Sequence, residues 1–159
     1  MIAGGRFRAD WPKNQKAVIL PKGSQTGQFG PSTMKLHLDN AAGINVITGY
    51  GENHVFVNKV RHDGNIIVLA DQLVPGWAPG GFAGLTEDDF AKVPPLKPAI
   101  MLIGTGQRQR FPKHALLRPL IEARIGFEIM DLAAACRTYN ILVGENRAVA
   151  VGLLFDPAP

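Results

Sequence analysis

The chain has 159 residues, of which 46% are hydrophobic, and it carries a formal net charge of +4 and a single cysteine. This length suits one globular domain that buries roughly two thirds of its unfolded surface. A single cysteine excludes an internal disulfide framework and is typical of a reducing compartment. No apolar run approaches the ~18 residues of a membrane span, and "AVIL" (17–20) is too short for the core of a secretory signal. We therefore expect a cytoplasmic protein without a membrane span.

The excess positive charge lies in the N-terminal segment. Residues 1–33 contain five basic side chains and one acidic side chain, whereas residues 34–159 contain twelve of each. Nucleic-acid binding relies on many cationic contacts with phosphates, so this neutral body predicts no nucleic-acid partner. The stretch "PKGSQTGQFGPST" (21–33) lacks the apolar surface needed to offset its ordering entropy, and Met34 follows it. We interpret residues 1–33 as a disordered tail or an upstream extension, and residues 34–159 as a single domain.

The first part of this domain is predicted to contain antiparallel strands. β-Branched and aromatic residues are frequent in "INVITGYG" (44–51), "HVFVNKV" (54–60) and "NIIVLA" (65–70). Glu52 and Asn53 are placed at a hairpin tip, and Asp63-Gly64 favours a turn before the third strand. The loop "PGWAPGGFAG" (75–84) carries Trp77 and Phe82. These aromatic side chains either fill an edge of the core or present an anchor to a partner protein.

The second part alternates between strand and helix patterns. Helices are predicted at 85–93, with Thr86 as N-cap, at 112–124, and at 132–143. Pro112 suits a first helical position, but Pro119 requires that the second helix be kinked or begin late. Strands are predicted at 99–104, 125–132 and 147–155. This order favours an α/β fold with a central, mostly parallel sheet.

A glycine-rich turn follows the apolar strand "AIMLIG". Gly104, Thr105 and Gly106 lie where ligands of open α/β sheets bind, and Arg108 and Arg110 follow within four residues. Backbone amides and a guanidinium at such a turn can hold an anion. However, Gln109 replaces the third glycine of a dinucleotide fingerprint, and no Lys-Ser or Lys-Thr pair completes a phosphate loop. The alternatives are a small-molecule or anion site and a tight turn that leads the chain out of the sheet.

The other reactive side chains favour structural roles. Leu132, Cys136, Tyr139 and Val143 share one helical stripe, which predicts a buried and unreactive thiol. The four histidines, His37, His54, His62 and His114, lack zinc-site spacing. We therefore expect no metal site, no cofactor and no catalytic residue.

Three stretches resemble the small Mth-like domain family of unknown function. They are "VPGWAPGGFAGLT" (74–86), "AIMLIGTGQRQRFP" (99–112) and "IGFEIMDLAAACRTYNILVGENRAVAVGLL" (125–154). The family includes archaeal and bacterial proteins, the adipogenesis-associated Mth-like domain protein of animals and mitochondrial complex I assembly factor 3. The resemblance covers about residues 34–155, and the Gly-Thr-Gly turn and the stretch 135–140 are its most specific parts.

The resemblance implies three layers, β+α/β/α, around a mixed central sheet whose last strand is antiparallel to its neighbours. The sequence departs from the family where "GEN" (144–146) replaces the more usual Glu-Gly-Arg, which makes Asn146 the expected left-handed residue.

For function, the resemblance implies protein binding, in respiratory-complex assembly, and supplies no catalytic residues. We expect a non-enzymatic module that binds an unidentified protein through the loop with Trp77 and Phe82 and the turn at Gly104. The alternative is a small-molecule or anion-binding protein, which includes the case of an enzyme. Its pocket would be lined by Gly104, Thr105, Gly106, Arg108 and Arg110. The sequence indicates no oligomeric state.

Overall fold

The computed structural model describes residues 43–156. The predicted tail at residues 1–33, its boundary at Met34 and the histidine at position 37 lie outside these residues. The described part contains a three-stranded sheet and a five-stranded sheet. The strands are β1 (Ile47–Tyr50), β2 (His54–Val57), β3 (Val60–Asp63), β4 (Ile66–Leu69), β5 (Gln72–Pro75), β6 (Ile100–Gly104), β7 (Gly126–Met130) and β8 (Val149–Leu153). The α-helices are α1 (Glu87–Ala91), α2 (Arg118–Glu122) and α3 (Leu132–Gly144), and short 3-10 helices cover Pro94–Leu96 and His114–Leu117.

The small sheet is an antiparallel meander in the order β1-β2-β3. The strands of this sheet correct the sequence prediction, because the stretch 54–60 does not form a single strand. Asn58 and Lys59 have φ values of 51° and 72°, so they form a hairpin turn between β2 and β3. Both residues therefore adopt the left-handed region that a two-residue hairpin loop requires. The predicted turn at Asp63-Gly64 instead leads into the central sheet.

The central sheet has the order β5-β4-β8-β6-β7. β6 pairs in parallel with both β7 and β8, whereas β4 pairs antiparallel with both β5 and β8. The sheet is therefore mixed, as predicted, but it is not mostly parallel, because the described strands form two parallel and two antiparallel pairings. The last strand, β8, was expected to be antiparallel to both of its neighbours. It is antiparallel to β4 but parallel to β6, so the expectation is wrong for β6. β5, which the sequence prediction lacked, forms one edge.

Two hydrophobic cores cover the two faces of the central sheet. In β4, Ile66 and Val68 contact the first core, whereas Ile67 and Leu69 contact the second. This alternation follows from the two-residue period of a strand. The first core also contains α3 and the small sheet, and the second contains α1 and α2. The resulting layers are β+α/β/α, which confirms the fold class.

The helices begin where the local sequence permits. Thr86 caps α1, and its side chain and that of Asp89 bind each other's backbone amides in a capping box. The predicted helix at 112–124 begins late: a 3-10 turn covers its first part, and α2 has Pro119 in its first turn. Pro112 precedes both elements and is not a first helical residue. Asn146 has a φ of 63°, which confirms its left-handed conformation after α3.

Candidate functional site

The turn after β6 is packed tightly against α3. A Cβ atom on Gly104 would lie only 2.9 Å from the Ala135 Cβ atom, so this close approach requires glycine. The Gly104 carbonyl accepts a hydrogen bond from the Leu154 amide at 2.9 Å, and the Gly106 carbonyl accepts one from the Leu132 amide at 2.7 Å. The turn is therefore joined both to the end of β8 and to the first turn of α3.

Thr105 is completely buried and closes the loop that follows it. Its hydroxyl accepts a hydrogen bond from the Arg110 amide at 2.8 Å and donates one to the Arg108 carbonyl at 2.9 Å. Its own amide donates to the Met130 carbonyl at the end of β7. A buried hydroxyl with both functions satisfied holds a loop in one conformation. Residues 105–110 therefore form a compact, internally bonded loop.

Arg110 is held by a backbone carbonyl, an aromatic ring and a carboxylate. Its Nε and Nη2 atoms donate to the Thr105 carbonyl at 3.0 and 2.5 Å. The guanidinium carbon lies 4.4 Å from the centre of the Phe82 ring, which is the geometry of a cation–π contact. Nη2 also donates to Oδ1 of Asp156 at 2.5 Å. We call Phe82, Thr105, Gly106, Arg110 and Asp156 the Arg110 cluster.

Gly106 leaves the space in which the Asp156 carboxylate lies. Its φ is +98°, and a Cβ atom there would lie 2.8 Å from Arg110 Nη2 and 2.9 Å from Asp156 Oδ2. The Gln107 amide approaches the same Oδ2 atom at 3.5 Å. The position at which the sequence hypothesis placed an anion thus contains a carboxylate of the same chain.

The structure brings together most of the predicted ligand residues. Gly104, Thr105, Gly106 and Arg110 lie in or against one turn, but the donors of Thr105 and Arg110 already bind groups of the chain itself. Arg108 is exposed, and its side chain forms no ion pair within residues 43–156. The described geometry therefore favours a structural turn with one exposed cation beside it.

Trp77 lies outside this site, which corrects its assignment to a partner surface. The side chain is completely buried in the second core, and its indole N–H donates to the Asp89 carbonyl at 2.8 Å. The ring meets Phe90 edge-on, with centroids 5.9 Å apart. A buried indole with a satisfied N–H packs as a core residue. Phe82 is half-buried and remains part of the cluster through Arg110.

Two residues of the region were missed by the sequence analysis. Phe111 follows Arg110 directly and is 68% exposed, although large aromatic side chains usually lie inside. Asp156 contacts Arg110 across 46 positions of sequence. The signal for Phe111 was an aromatic residue in a polar loop, whereas nothing in the local sequence indicated the contact of Asp156.

Cys136 has the predicted buried environment. It lies in the first core on the same face of α3 as Leu132, Tyr139 and Val143. Burial raises the pKa of its thiol to about 12, which keeps the thiol protonated at neutral pH. A protonated, buried thiol is neither a good nucleophile nor a good metal ligand.

The described residues contain neither a metal-binding cluster nor a membrane-spanning helix. Between positions 43 and 156, no three His, Cys, Asp or Glu side chains are close enough to hold a metal ion. Over the same range, no helix combines the length and apolar character needed to cross a membrane.

Comparison with protein families identifies the relatives of this chain. Residues 47–154 match the model of a protein family of unknown function, DUF498/DUF598. The chain belongs to this family. The matched region begins at β1 and ends directly after β8, so it covers both sheets and includes the Gly104 turn.

Relatives of this family member include proteins named as NADH dehydrogenase assembly factors. The chain is 30% identical over 113 residues to NADH dehydrogenase [ubiquinone] 1 alpha subcomplex assembly factor 3 of Bos taurus, covering 70% of this chain and 61% of that protein. It is 29% identical over 119 residues to the human protein of the same name, covering 74% and 64%. The chain therefore spans less than two thirds of these curated relatives.

Solved structures support the same family assignment. A crystal structure of a Bordetella parapertussis protein is 38% identical, with a TM-score of 0.66, and the match covers 73% of this chain and 99% of that one. A Bordetella pertussis protein described as a Mth938-like domain is 34% identical, with a TM-score of 0.60, over 76% and 92% of the two chains. The resemblance to the Mth-like family is thereby confirmed.

Proposed function

We propose that this protein is a non-enzymatic, cytoplasmic module that binds another protein in the manner of an assembly factor, with respiratory-complex assembly as the process. The names of the relatives support this role. The observation that carries the proposal is the exposure of Phe111, which directly follows a loop whose backbone is held by hydrogen bonds to the hydroxyl of buried Thr105.

Phe111 and Arg108 have the character of a binding hot spot. Aromatic and arginine side chains are enriched among residues that dominate protein–protein affinity. Both are exposed, and they lie three positions apart on one short loop. Because Thr105 restricts this loop, less conformational entropy is lost when a partner binds. We define Arg108, Phe82 and Phe111 as the partner surface.

The alternative, a small-molecule or anion-binding protein or an enzyme, has less support. Such a function requires polar groups that converge on an open concave position. Here the Asp156 carboxylate of the same chain lies against Arg110, so a free anion would have to compete with a tethered carboxylate. The thiol of Cys136 is buried and has a raised pKa, so it is a poor candidate nucleophile.

A pull-down from an extract of the source organism tests the proposal. The wild-type chain is expected to retain one stoichiometric partner, and Phe111→Ala to lose most of it. Ile141→Ala is the matched control because Ile141 is also a large exposed side chain, at 59%, but lies on α3. Equal retention by all three chains, or the absence of a stoichiometric partner, would contradict the proposal.

A further inference from the structure

We propose that the Arg110 cluster is a carboxylate-binding site, which Asp156 occupies in the unbound protein and an acidic side chain of the partner protein occupies in the complex. This inference rests on the proposed protein-binding function and specifies the chemistry of the partner. It follows from how Arg110 is held, from the shape of the turn and from the exposure of Asp156.

Arg110 does not depend on Asp156 for its orientation. The Thr105 carbonyl accepts two hydrogen bonds from its guanidinium, and the Phe82 ring covers one face of it. None of these contacts involves the carboxylate. The guanidinium is therefore preorganised, which reduces the entropic cost of binding a new carboxylate.

The turn accommodates both oxygens of a carboxylate. Oδ1 of Asp156 binds Arg110 Nη2, and Oδ2 lies beside the Gln107 amide. Gly106 makes this approach possible, because a Cβ atom there would lie within 3.0 Å of both carboxylate oxygens. The exposed ion pair between Arg61 and Asp63 lies instead within the small sheet. Gly106 therefore leaves the space that the carboxylate of the Arg110 cluster occupies.

Asp156 is positioned to exchange with another carboxylate. Its side chain is 40% exposed and that of Arg110 is 33% exposed, so solvent reaches the ion pair. Asp156 also follows β8 and the last described backbone anchor, the hydrogen bond from the Phe155 amide to Asn65. Such a partly exposed pair contributes little to stability, because water screens it.

The partner must contribute more than a carboxylate. Asp156 is tethered, so it competes at an effective concentration on the order of millimolar or above. A free carboxylate at low concentration cannot displace it, whereas a partner that also contacts Phe111 can. The expected partner segment therefore carries an Asp or Glu beside an apolar side chain.

The test is an acetate titration of the full chain at constant ionic strength, followed by NMR of the Gly106 and Gln107 amides. Asp156→Ala is expected to show a saturable shift with half-saturation at an acetate concentration at least about ten-fold below that of the wild type, since the tethered competitor is gone. Asp156→Asn keeps the shape of the side chain but loses its charge, so its half-saturation is expected at an acetate concentration between those of the alanine variant and the wild type. It replaces the alanine variant in the test if that variant does not fold. Asp63→Ala removes the exposed ion pair with Arg61 and is the matched control. Its acetate response at the Gly106 and Gln107 amides is expected to equal that of the wild type.

Three outcomes would overturn the inference. They are equal acetate affinity in the Asp156 variants and the wild type, an undiminished response in the double variant Asp156→Ala with Arg110→Ala, and tighter binding of inorganic phosphate than of acetate. The titration needs no partner, so its failure is separate from that of the pull-down. If a partner is captured in a Phe111-dependent way but the amide shifts do not respond to acetate, the proposed function stands and only the carboxylate site is contradicted.

Discussion

The side-chain amide of Asn140 binds the backbone of Ile47 as a neighbouring strand would. Its Oδ1 atom accepts a hydrogen bond from the Ile47 amide at 2.8 Å, and its Nδ2 atom donates to the Ile47 carbonyl at 2.8 Å. The preceding residue, Tyr139, donates from its hydroxyl to the Asn45 carbonyl at 2.9 Å. The stretch 135–140, which was among the most specific signs of the family, thus joins α3 to the small sheet.

Asn140→Ala is expected to lower the free energy of unfolding by about 1–3 kcal/mol, because it leaves two partly buried backbone groups of Ile47 without a partner. Urea denaturation measures the loss, and hydrogen exchange is expected to accelerate at the Ile47 amide. Ile141→Ala is the control and is expected to change the stability by less than about 0.5 kcal/mol, since its side chain is exposed. Equal effects of the two variants would show that the amide bonds are not stabilising.

Thr105→Val is expected to destabilise the fold by about 1–3 kcal/mol, because the isosteric side chain cannot bind the Arg108 carbonyl or the Arg110 amide. Thr105→Ser keeps the hydroxyl and is expected to retain more of the stability. Thermal and urea unfolding of the two variants provide the comparison. A serine variant that is less stable than the valine variant would indicate that methyl packing, rather than hydrogen bonding, dominates at this position.

Gly106→Val is expected to cost more than about 1 kcal/mol of stability, because its φ of +98° is unfavourable for a β-branched residue and its Cβ atom meets Arg110 and Asp156. Arg108→Ala is expected to cost less than about 0.5 kcal/mol, since its side chain is exposed and forms no ion pair within residues 43–156. Equilibrium unfolding in urea measures both. The reverse order of the two losses would show that the Arg108 side chain, and not the backbone of the turn, stabilises this region.

Cys136 is expected to react slowly with thiol reagents in the native protein at neutral pH, because burial raises its pKa from the ordinary 9.0 to about 12. The unfolded thiol ionises first as the pH rises, so the stability associated with Cys136 falls above about pH 9. Relative to Cys136→Ala, the wild type is expected to lose about 1 kcal/mol more between about pH 7 and pH 10. Labelling kinetics and unfolding at both pH values test this, and rapid native labelling at neutral pH would contradict it.

The sequence determined the features that depend on neighbours in the chain. The apolar stripe of α3 predicted which of its side chains face the core, and Thr86 predicted the start of α1. The glycines of the turn were recognised for the same reason, since a tight turn after a strand requires small residues. Side-chain periodicity and helix capping depend on residues that are close in the chain, so both can be recognised in a short stretch of sequence.

Only the tertiary structure decided which distant groups meet. β4 could have extended the small sheet, but its two apolar faces are both covered only in the central sheet, next to β8. Burial of Trp77 depends on Gly152 of β8, where a Cβ atom would lie 2.7 Å from the indole ring. The contact between Arg110 and Asp156 likewise depends on β8 lying beside β6, which brings their ends together. Strand order sets these contacts, and the alternation of side chains along a strand carries no information about which strand lies beside it.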